Sequence, residues 1–193
     1  MKPKRIILAS KSPRRKEILN QTGIDPQIVV SNFDESCVEE VRPQKLVELL
    51  AKGKARTVAE ESEVGDMIIA ADTVVSIDGK ILGKPKTKKE AFKMIQTLAG
   101  RTHIVCSGVC IIYKKKSGDV EESFSATTKV HVDRLTNCEI HKYVDSGEPM
   151  DKAGGYGIQG IFGKHITGID GDYYNVVGLP MQKTYRAIKR LSR

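Results

Sequence analysis

The residue of this chain best placed to do chemistry is a carboxylate set inside an apolar strand. Asp72 interrupts Met67 to Val75, a nearly unbroken run of apolar and small residues within DMIIAADTVVSIDGKILGKP, Asp66 to Pro85. Such a run reads as a strand buried on both faces. A carboxylate there loses hydration that only a cation, a metal or several hydrogen bonds can restore. Asp78-Gly79 is a type I′ turn signal, so the chain doubles back through Lys80 to Leu82 and returns Gly83-Lys84-Pro85 toward its start. A hairpin of this kind can bring the Lys84 ammonium to Asp72. On this stretch alone, an active-site acid and a structural aspartate held by backbone amides, with Lys84 solvated, are equally supported.

Other cations are placed where an anion would satisfy them. Ser12 and Pro13 in Ser10-Lys11-Ser12-Pro13-Arg14-Arg15 make a good helix N-cap and first position. A helix N-terminus favours negative charge, so Arg14 and Arg15 in its first turn are electrostatically misplaced unless an anion binds there. Two solvated arginines are the plainer alternative. Pro43 opens a second helix with Leu46, Val47, Leu50 and Val58 on one stripe, and Lys54 falls on that same stripe, where a lysine either snorkels to water or meets an anion. Asp34-Glu35-Ser36 is a short acidic patch of the kind that is usually solvated.

The elements that must position these groups follow from their punctuation. Arg5 to Ala9 reads as a strand, and the first helix runs to about Thr22 with Gly23 as its stop. Gln27 to Ser31 reads as a strand. Thr87 to Glu90 is a capping box opening a helix with Ala91, Met94, Ile95 and Leu98 inward, closed by Gly100. His103 to Tyr113 and Val120 to Val132 read as an antiparallel pair. A second capping box, Thr136 to Glu139, opens a helix to about Ser146. The glycine-rich Gly147 to Gly160 follows, then Lys164 to Ile169 and Tyr173 to Val177 as a hairpin around Asp170-Gly171. Pro180 begins a last helix with Met181, Thr184, Tyr185, Ile188 and Leu191 on one face. Gly155, Gly157 and Gly160 satisfy GxGxxG literally, but the pattern neither follows a strand nor opens a helix, so a dinucleotide fold is not expected. These glycines instead let backbone approach a ligand, with Gln159 presenting its amide. The sum is a mixed α/β protein whose helices cover a central, partly antiparallel sheet.

Composition narrows the function classes. The 193 residues suffice for one domain, or two lobes sharing a sheet. No run of about eighteen apolar residues exists, so no membrane span is expected. The apolar stretch Ile6 to Ala9 is too short for a signal peptide, and a cytoplasmic location is expected. Cys37, Cys106, Cys110 and Cys138 are scattered without a CxxC, which favours free buried thiols over zinc or disulfides. The histidines show no ligand spacing, so any metal is a hard ion held by carboxylates. The net charge of +8 points to an anionic partner. With 5% aromatics, no Trp, and basic clusters lying at turns, nucleic acid is less favoured than a phosphate-rich small molecule.

In chain order, SxSPRR at Ser10 to Arg15, Asp34-Glu35, Lys54 in AKGKA, AADTVV at Ala70 to Val75, GKP at Gly83 to Pro85, DKAGGYGIQG at Asp151 to Gly160 and NVVGLP at Asn175 to Pro180 closely resemble the Maf family of nucleotide pyrophosphatases. Each motif alone is weak; together they span the chain from the first strand to the last helix as one domain over 1–193. The resemblance implies an elongated α/β fold, related to that of inosine-triphosphate pyrophosphatases, with a cleft between two lobes and often a homodimer. It implies hydrolysis of a nucleoside triphosphate to its monophosphate and pyrophosphate, aided by a divalent metal, Mg2+ or Mn2+. Arg14, Thr73 and Gln159 with GGYGIQG intact resemble the branch acting on dTTP and UTP, which leaves modified pyrimidine nucleotides open as house-cleaning substrates. Asp172 stands where many relatives carry serine, which puts only local turn chemistry in doubt.

Set beside that likeness, Asp72 is expected to be the general base, touching the metal as well, and Glu35 a metal ligand. Arg14, Arg15, Lys54 and Lys84 are expected to hold phosphates, with Ser10 and the helix N-terminus adding neutral donors. Thr73 and Gln159 are expected to select the base, since an amide can pair with the O4 and N3–H edge of uracil or thymine. The rival expectations are a non-catalytic nucleic-acid-binding or septum-regulating protein, and a pyrophosphatase acting on inosine triphosphate or 7-methyl-GTP.

Overall fold

The computed structural model describes residues 2–38 and 42–193. Its strands β1 (Arg5–Leu8), β2 (Gln27–Ile28), β3 (Asp66–Ile77), β4 (Lys80–Leu82), β5 (Thr102–Tyr113), β6 (Val120–Val132) and β7 (Ile166–Asp170) form one mixed sheet. The strand order is β2-β1-β3-β5-β6-β7, with β4 paired to β3. β1 lies parallel to β2 and to the first part of β3, while β4 is antiparallel to the last part of β3 and β7 to β6. Helices α1 (Pro13–Gln21), α2 (Pro43–Glu60), α3 (Lys88–Leu98), α4 (Asn137–Asp145), α5 (Tyr173–Val177) and α6 (Met181–Leu191) complete the α/β architecture. The chain divides into two compact units. The first comprises Met1–Asp72, Ser107–Ala126 and Gly178–Arg193; the second comprises Thr73–Cys106 and Thr127–Val177.

In the first unit, small residues let α2 lie close on the sheet. Ala51, Ala55 and Ala59 recur every fourth position, so they share one helix face, and they are buried with Ile7, Ile68 and Ala70 of β1 and β3. Gly108 of β5 completes this approach. A Cβ built there would lie 2.6 Å from Glu48 N and closer still to the Val47 carbonyl, so helix backbone occupies the space a side chain would need. Gly108→Ala is therefore expected to destabilise the protein by about 1–3 kcal/mol through overpacking against backbone that cannot move aside. Thermal unfolding reads this as a midpoint lowered by roughly 2–4 °C per kcal/mol; an unchanged midpoint refutes the close approach.

The second unit has its own core, where Ile95 and Leu98 of α3 meet Val105, Val130, Ile140 and Phe162. Its caps form as the sequence predicts at one helix and in part at the other. Thr136 and Glu139 exchange both bonds of a capping box, whereas Thr87 caps Glu90 N but the Glu90 carboxylate turns to Lys86 N. Asp78 and Gly79 have φ of 51° and 76°, the paired positive values of a type I′ turn.

Several expectations change. The strand expected over Gln27 to Ser31 is only Gln27–Ile28. The hairpin around Asp170-Gly171 does not form: β7 pairs with β6, with Ile169 opposite Val130, and Tyr173–Val177 is a helix. Its start is fixed by Asp172, whose Oδ1 accepts from Tyr174 N at 2.8 Å. Inside that helix the buried Asn175 donates to Val105 O and Thr128 Oγ1, each at 3.0 Å. On α6, Tyr185 is exposed and Ala187 takes the inward position. Of the cysteines, Cys106 and Cys110 are buried and free, but Cys37 and Cys138 are free and exposed.

Candidate active site

Alternation along β3 decides which way Asp72 faces. Successive strand residues point to opposite faces, so Asp72 shares the face of Ile68 and Ala70, which pack with α2. Lys54 projects from α2 on the matching side, and its Nζ donates to Asp72 Oδ1 at 2.5 Å. Both side chains are 15% exposed, enough for water or substrate to reach them and too little for bulk solvation. The strand carboxylate thus has the Lys54 ammonium of α2 as a partner.

The same ammonium lies 2.8 Å from Glu35 Oε1. Glu35 reaches it from a short 3-10 helix, Glu35–Cys37, whose preceding residue Asp34 spends its carboxylate locally. Asp34 Oδ1 accepts from Ser36 N at 2.9 Å and from the Ser36 hydroxyl at 2.7 Å, and these bonds hold the Asp34 carboxyl below its usual range. Of the acidic pair, only Glu35 therefore faces the site. Gly53 explains how this loop docks. The Phe33 ring lies against Gly53 so closely that a Cβ would overlap it, Cε1 being 2.5 Å from that position. A glycine inside a helix ordinarily costs about 1 kcal/mol against alanine; here the vacated space seats the loop that carries Glu35 beside Lys54.

Arg15 is the third cation of this unit. Its Nη1 donates to Ser10 Oγ and its Nε to Gly178 O, each at 2.9 Å, tying α1 to the chain just before α6. Gly178 has φ of 128°, a backbone state that side chains disfavour. Burial pushes the Arg15 pKa down, the Asp72 and Glu35 carboxylates oppose that, and the neighbouring Arg14 charge adds to it. Ser12 is the extended N-cap of α1 but its side chain makes no capping bond; its amide donates to Ser10 Oγ at 3.2 Å. Ser10 is nearly buried and Arg14 half-buried. The structure thus brings Ser10, Arg14, Arg15, Glu35, Lys54 and Asp72 together in one unit.

Thr73, Lys84 and Gln159 belong to the other unit. Thr73 is on the opposite face of β3 from Asp72, the face of Val75 and Ile77 in the second core. Lys84 is exposed, one residue beyond Gly83, whose carbonyl accepts from Gly154 N at 2.9 Å and so joins GKP to the glycine-rich segment. Gln159 is exposed at the corner of a turn closed by Gly160 N donating to Gly157 O at 3.2 Å.

Two carboxylates converging on one ammonium mark a place where positive charge is required. Among the described residues no three His, Cys, Asp or Glu side chains cluster as a closed metal cage. Glu35 and Asp72 are hard oxygen donors that suit a magnesium-like ion, which is ordinarily held by one or two carboxylates, waters and substrate phosphate. The residues present therefore fit such an ion. The arrangement can bind a polyphosphate on Arg14, Arg15 and Lys54 and offer it a half-buried carboxylate.

The family model described as Maf-like protein matches residues 5–191. A protein of Lachnoclostridium phytofermentans named dTTP/UTP pyrophosphatase is 48% identical over 186 residues, 96% of this chain and 94% of its own. One of the same name from Clostridium botulinum strain Okra is 48% identical over 183 residues, 93% of each chain. Among solved structures, a dITP/XTP pyrophosphatase of Mycobacterium abscessus aligns over 97% of this chain and 98% of its own. Its TM-score is 0.45 at 13% identity, too distant to carry anything further.

Proposed function

We propose, from the premise that this chain belongs to the Maf-like protein family, that it is a nucleoside triphosphate pyrophosphatase hydrolysing dTTP and UTP to the monophosphate and pyrophosphate. The observation that carries the reading is the Asp72 carboxylate, recessed in β3 and flanked by Lys54, Glu35 and Arg15.

In this mechanism Asp72 takes a proton from a water as its oxygen bonds to the α-phosphorus. The bond from that phosphorus to the α–β bridging oxygen breaks, and pyrophosphate leaves with the electron pair. Lys54 holds the Asp72 oxygen in place and lies near the phosphate charge that develops, where a fixed donor acts without reorganising. Arg15, fixed by Ser10 and Gly178, stands with Arg14 in the first turn of α1, whose N-terminus favours phosphate. A magnesium or manganese ion, when bound at Glu35 and Asp72 with the substrate, supplies Lewis-acid polarisation and offsets triphosphate charge. Lys84 contributes a further phosphate contact. Thr73 and Gln159 read the pyrimidine edge, an assignment supported by their motifs and by the exposed position of Gln159 at its turn. Among the described residues no helix is long and apolar enough to cross a membrane. A cytoplasmic, homodimeric enzyme completes the proposal, and light scattering tests the dimer.

Pyrophosphate release from a panel of dTTP, UTP, CTP, ITP and 7-methyl-GTP tests the reading directly. The expected outcome is turnover of dTTP and UTP well above the other three. Preference for ITP or 7-methyl-GTP reassigns the substrate. No turnover, with duplex binding that weakens steeply with salt, replaces the enzyme by a nucleic-acid-binding protein.

A further inference from the structure

The turn that carries Gln159 has no regular secondary structure of its own, yet it is clamped on both sides by polar groups, the half-buried Glu148 and the buried Tyr143. Its centre is the Glu148 carboxylate, which follows Gly147 and opens the short 3-10 helix Glu148–Asp151. Glu148 Oε2 accepts from Ile161 N at 2.8 Å, immediately past the turn. Glu148 Oε1 accepts from the Tyr143 hydroxyl at 3.2 Å, and that hydroxyl also lies 3.1 Å from Gly155 O, before the turn. One carboxylate and one phenol thus tie both ends of the segment 155–161 to α4. The carboxylate also fills the space behind Gly160: a Cβ built on Gly160 would lie 2.6 Å from Glu148 Oε2 and closer to Oε1. Burial first, and the Glu148 charge second, push the Tyr143 pKa up, so the phenol keeps its proton and remains a donor. On the far side the Tyr156 hydroxyl meets His103 Nε2 at 2.7 Å, and burial lowers His103 to about 4, keeping that ring neutral.

A carboxylate with both oxygens engaged in this way is absent from the mechanism above and too committed to bind substrate itself. We propose that Glu148 is a positioning residue for base selection, holding the Gly157–Gly160 turn so that the Gln159 amide meets the pyrimidine edge in one orientation. This rests on the reading that Gln159 selects the base. An exposed amide on a glycine-flanked turn would otherwise sample many orientations, and one that can rotate freely pairs with cytosine as readily as with uracil.

The test is the ratio of kcat/KM for UTP to that for CTP in Glu148→Ala, Gln159→Ala, their double variant, Glu148→Gln and Tyr143→Phe, each normalised to folded protein by circular dichroism. Glu148→Ala removes both acceptors and is expected to lower the ratio about ten- to a hundred-fold, mostly through KM for UTP, the size of effect a misplaced contact produces. Glu148→Gln is expected to restore most of it. Its amide oxygen accepts from Ile161 N, and its NH2 donates to the Tyr143 oxygen, whose own proton then goes to Gly155 O. Tyr143→Phe is expected to give an intermediate loss and carries the test by itself if Glu148→Ala does not fold. In the Gln159→Ala background, Glu148→Ala is expected to have no further effect on the ratio. An unchanged ratio in both Glu148→Ala and Tyr143→Phe, or an equal further loss without Gln159, overturns the inference and leaves the base-reading role intact. An unchanged ratio in Gln159→Ala removes that role, and the inference with it.

Discussion

Replacing Asp72 with asparagine lowers kcat for dTTP and UTP about a hundred- to ten-thousand-fold, the span that loss of a general base ordinarily produces. Asparagine keeps the size of the side chain and an oxygen to accept from Lys54 Nζ at the 2.5 Å contact. It cannot take up the proton of an attacking water. Folding is expected to be unaffected, because the residue lies at the edge of the α2 contact and not within the sealed core, at 15% exposure. Nucleotide binding is expected to hold or tighten, since removing one negative charge leaves Lys54, Arg14 and Arg15 facing fewer carboxylates. Single-turnover pyrophosphate release, nucleotide titration by calorimetry and a thermal melt separate these effects. Turnover retained with the melt unchanged takes Asp72 out of the role of base.

Lys54→Met is expected to be nearly as damaging, at about a hundred- to a thousand-fold in kcat/KM, the range for loss of one preorganised donor in a water-poor site. Methionine matches lysine closely in helix propensity and stem length, so α2 itself should be unperturbed. What is lost is the charge that holds Asp72 Oδ1 and Glu35 Oε1 around one point. Without it two carboxylates face each other, repel, and swing away from the orientation that serves substrate. Lys54→Arg is not expected to rescue, because a planar guanidinium is wider than an ammonium and cannot sit between two carboxylates in the same space. Rates in both variants, alongside melts, check this. Full activity in Lys54→Met would mean that the bridge is only structural.

Most of the fold could be read from local signals because those signals are local in cause. The Thr136 box, the Asp78-Gly79 turn and the breaks at Gly23, Gly100 and Gly147 depend on residues within a few positions of each other. The stretch Tyr173–Val177 shows where this fails. Two tyrosines and two valines favour a strand, but the capping Asp172 and the two bonds of the buried Asn175 to residues 70 and 47 positions away hold it as a helix.

The candidate site divides in the same way. Residue types and motif order marked Ser10, Arg14, Arg15, Glu35, Lys54 and Asp72, since a carboxylate in an apolar run and arginines at a helix N-terminus are anomalous wherever the chain later goes. Nothing in the sequence marked Gly178 as the acceptor for Arg15, 163 residues away, or Glu148 and Tyr143 as the clamp behind Gln159. The glycine-rich reading of Gly147 to Gly160 carried no sign of a carboxylate aimed back into the turn.

Sequence by itself determined the family, most of the elements and the inventory of charged groups. Tertiary structure alone decided that Lys54 meets Asp72. The reason is distance. A hairpin register constrains only its own strands, whereas the Lys54 to Asp72 contact is set by how closely Ala51, Ala55 and Gly108 let α2 approach the sheet. Coulombic attraction and hydrogen bonding act at that separation and take no account of the number of residues between the partners.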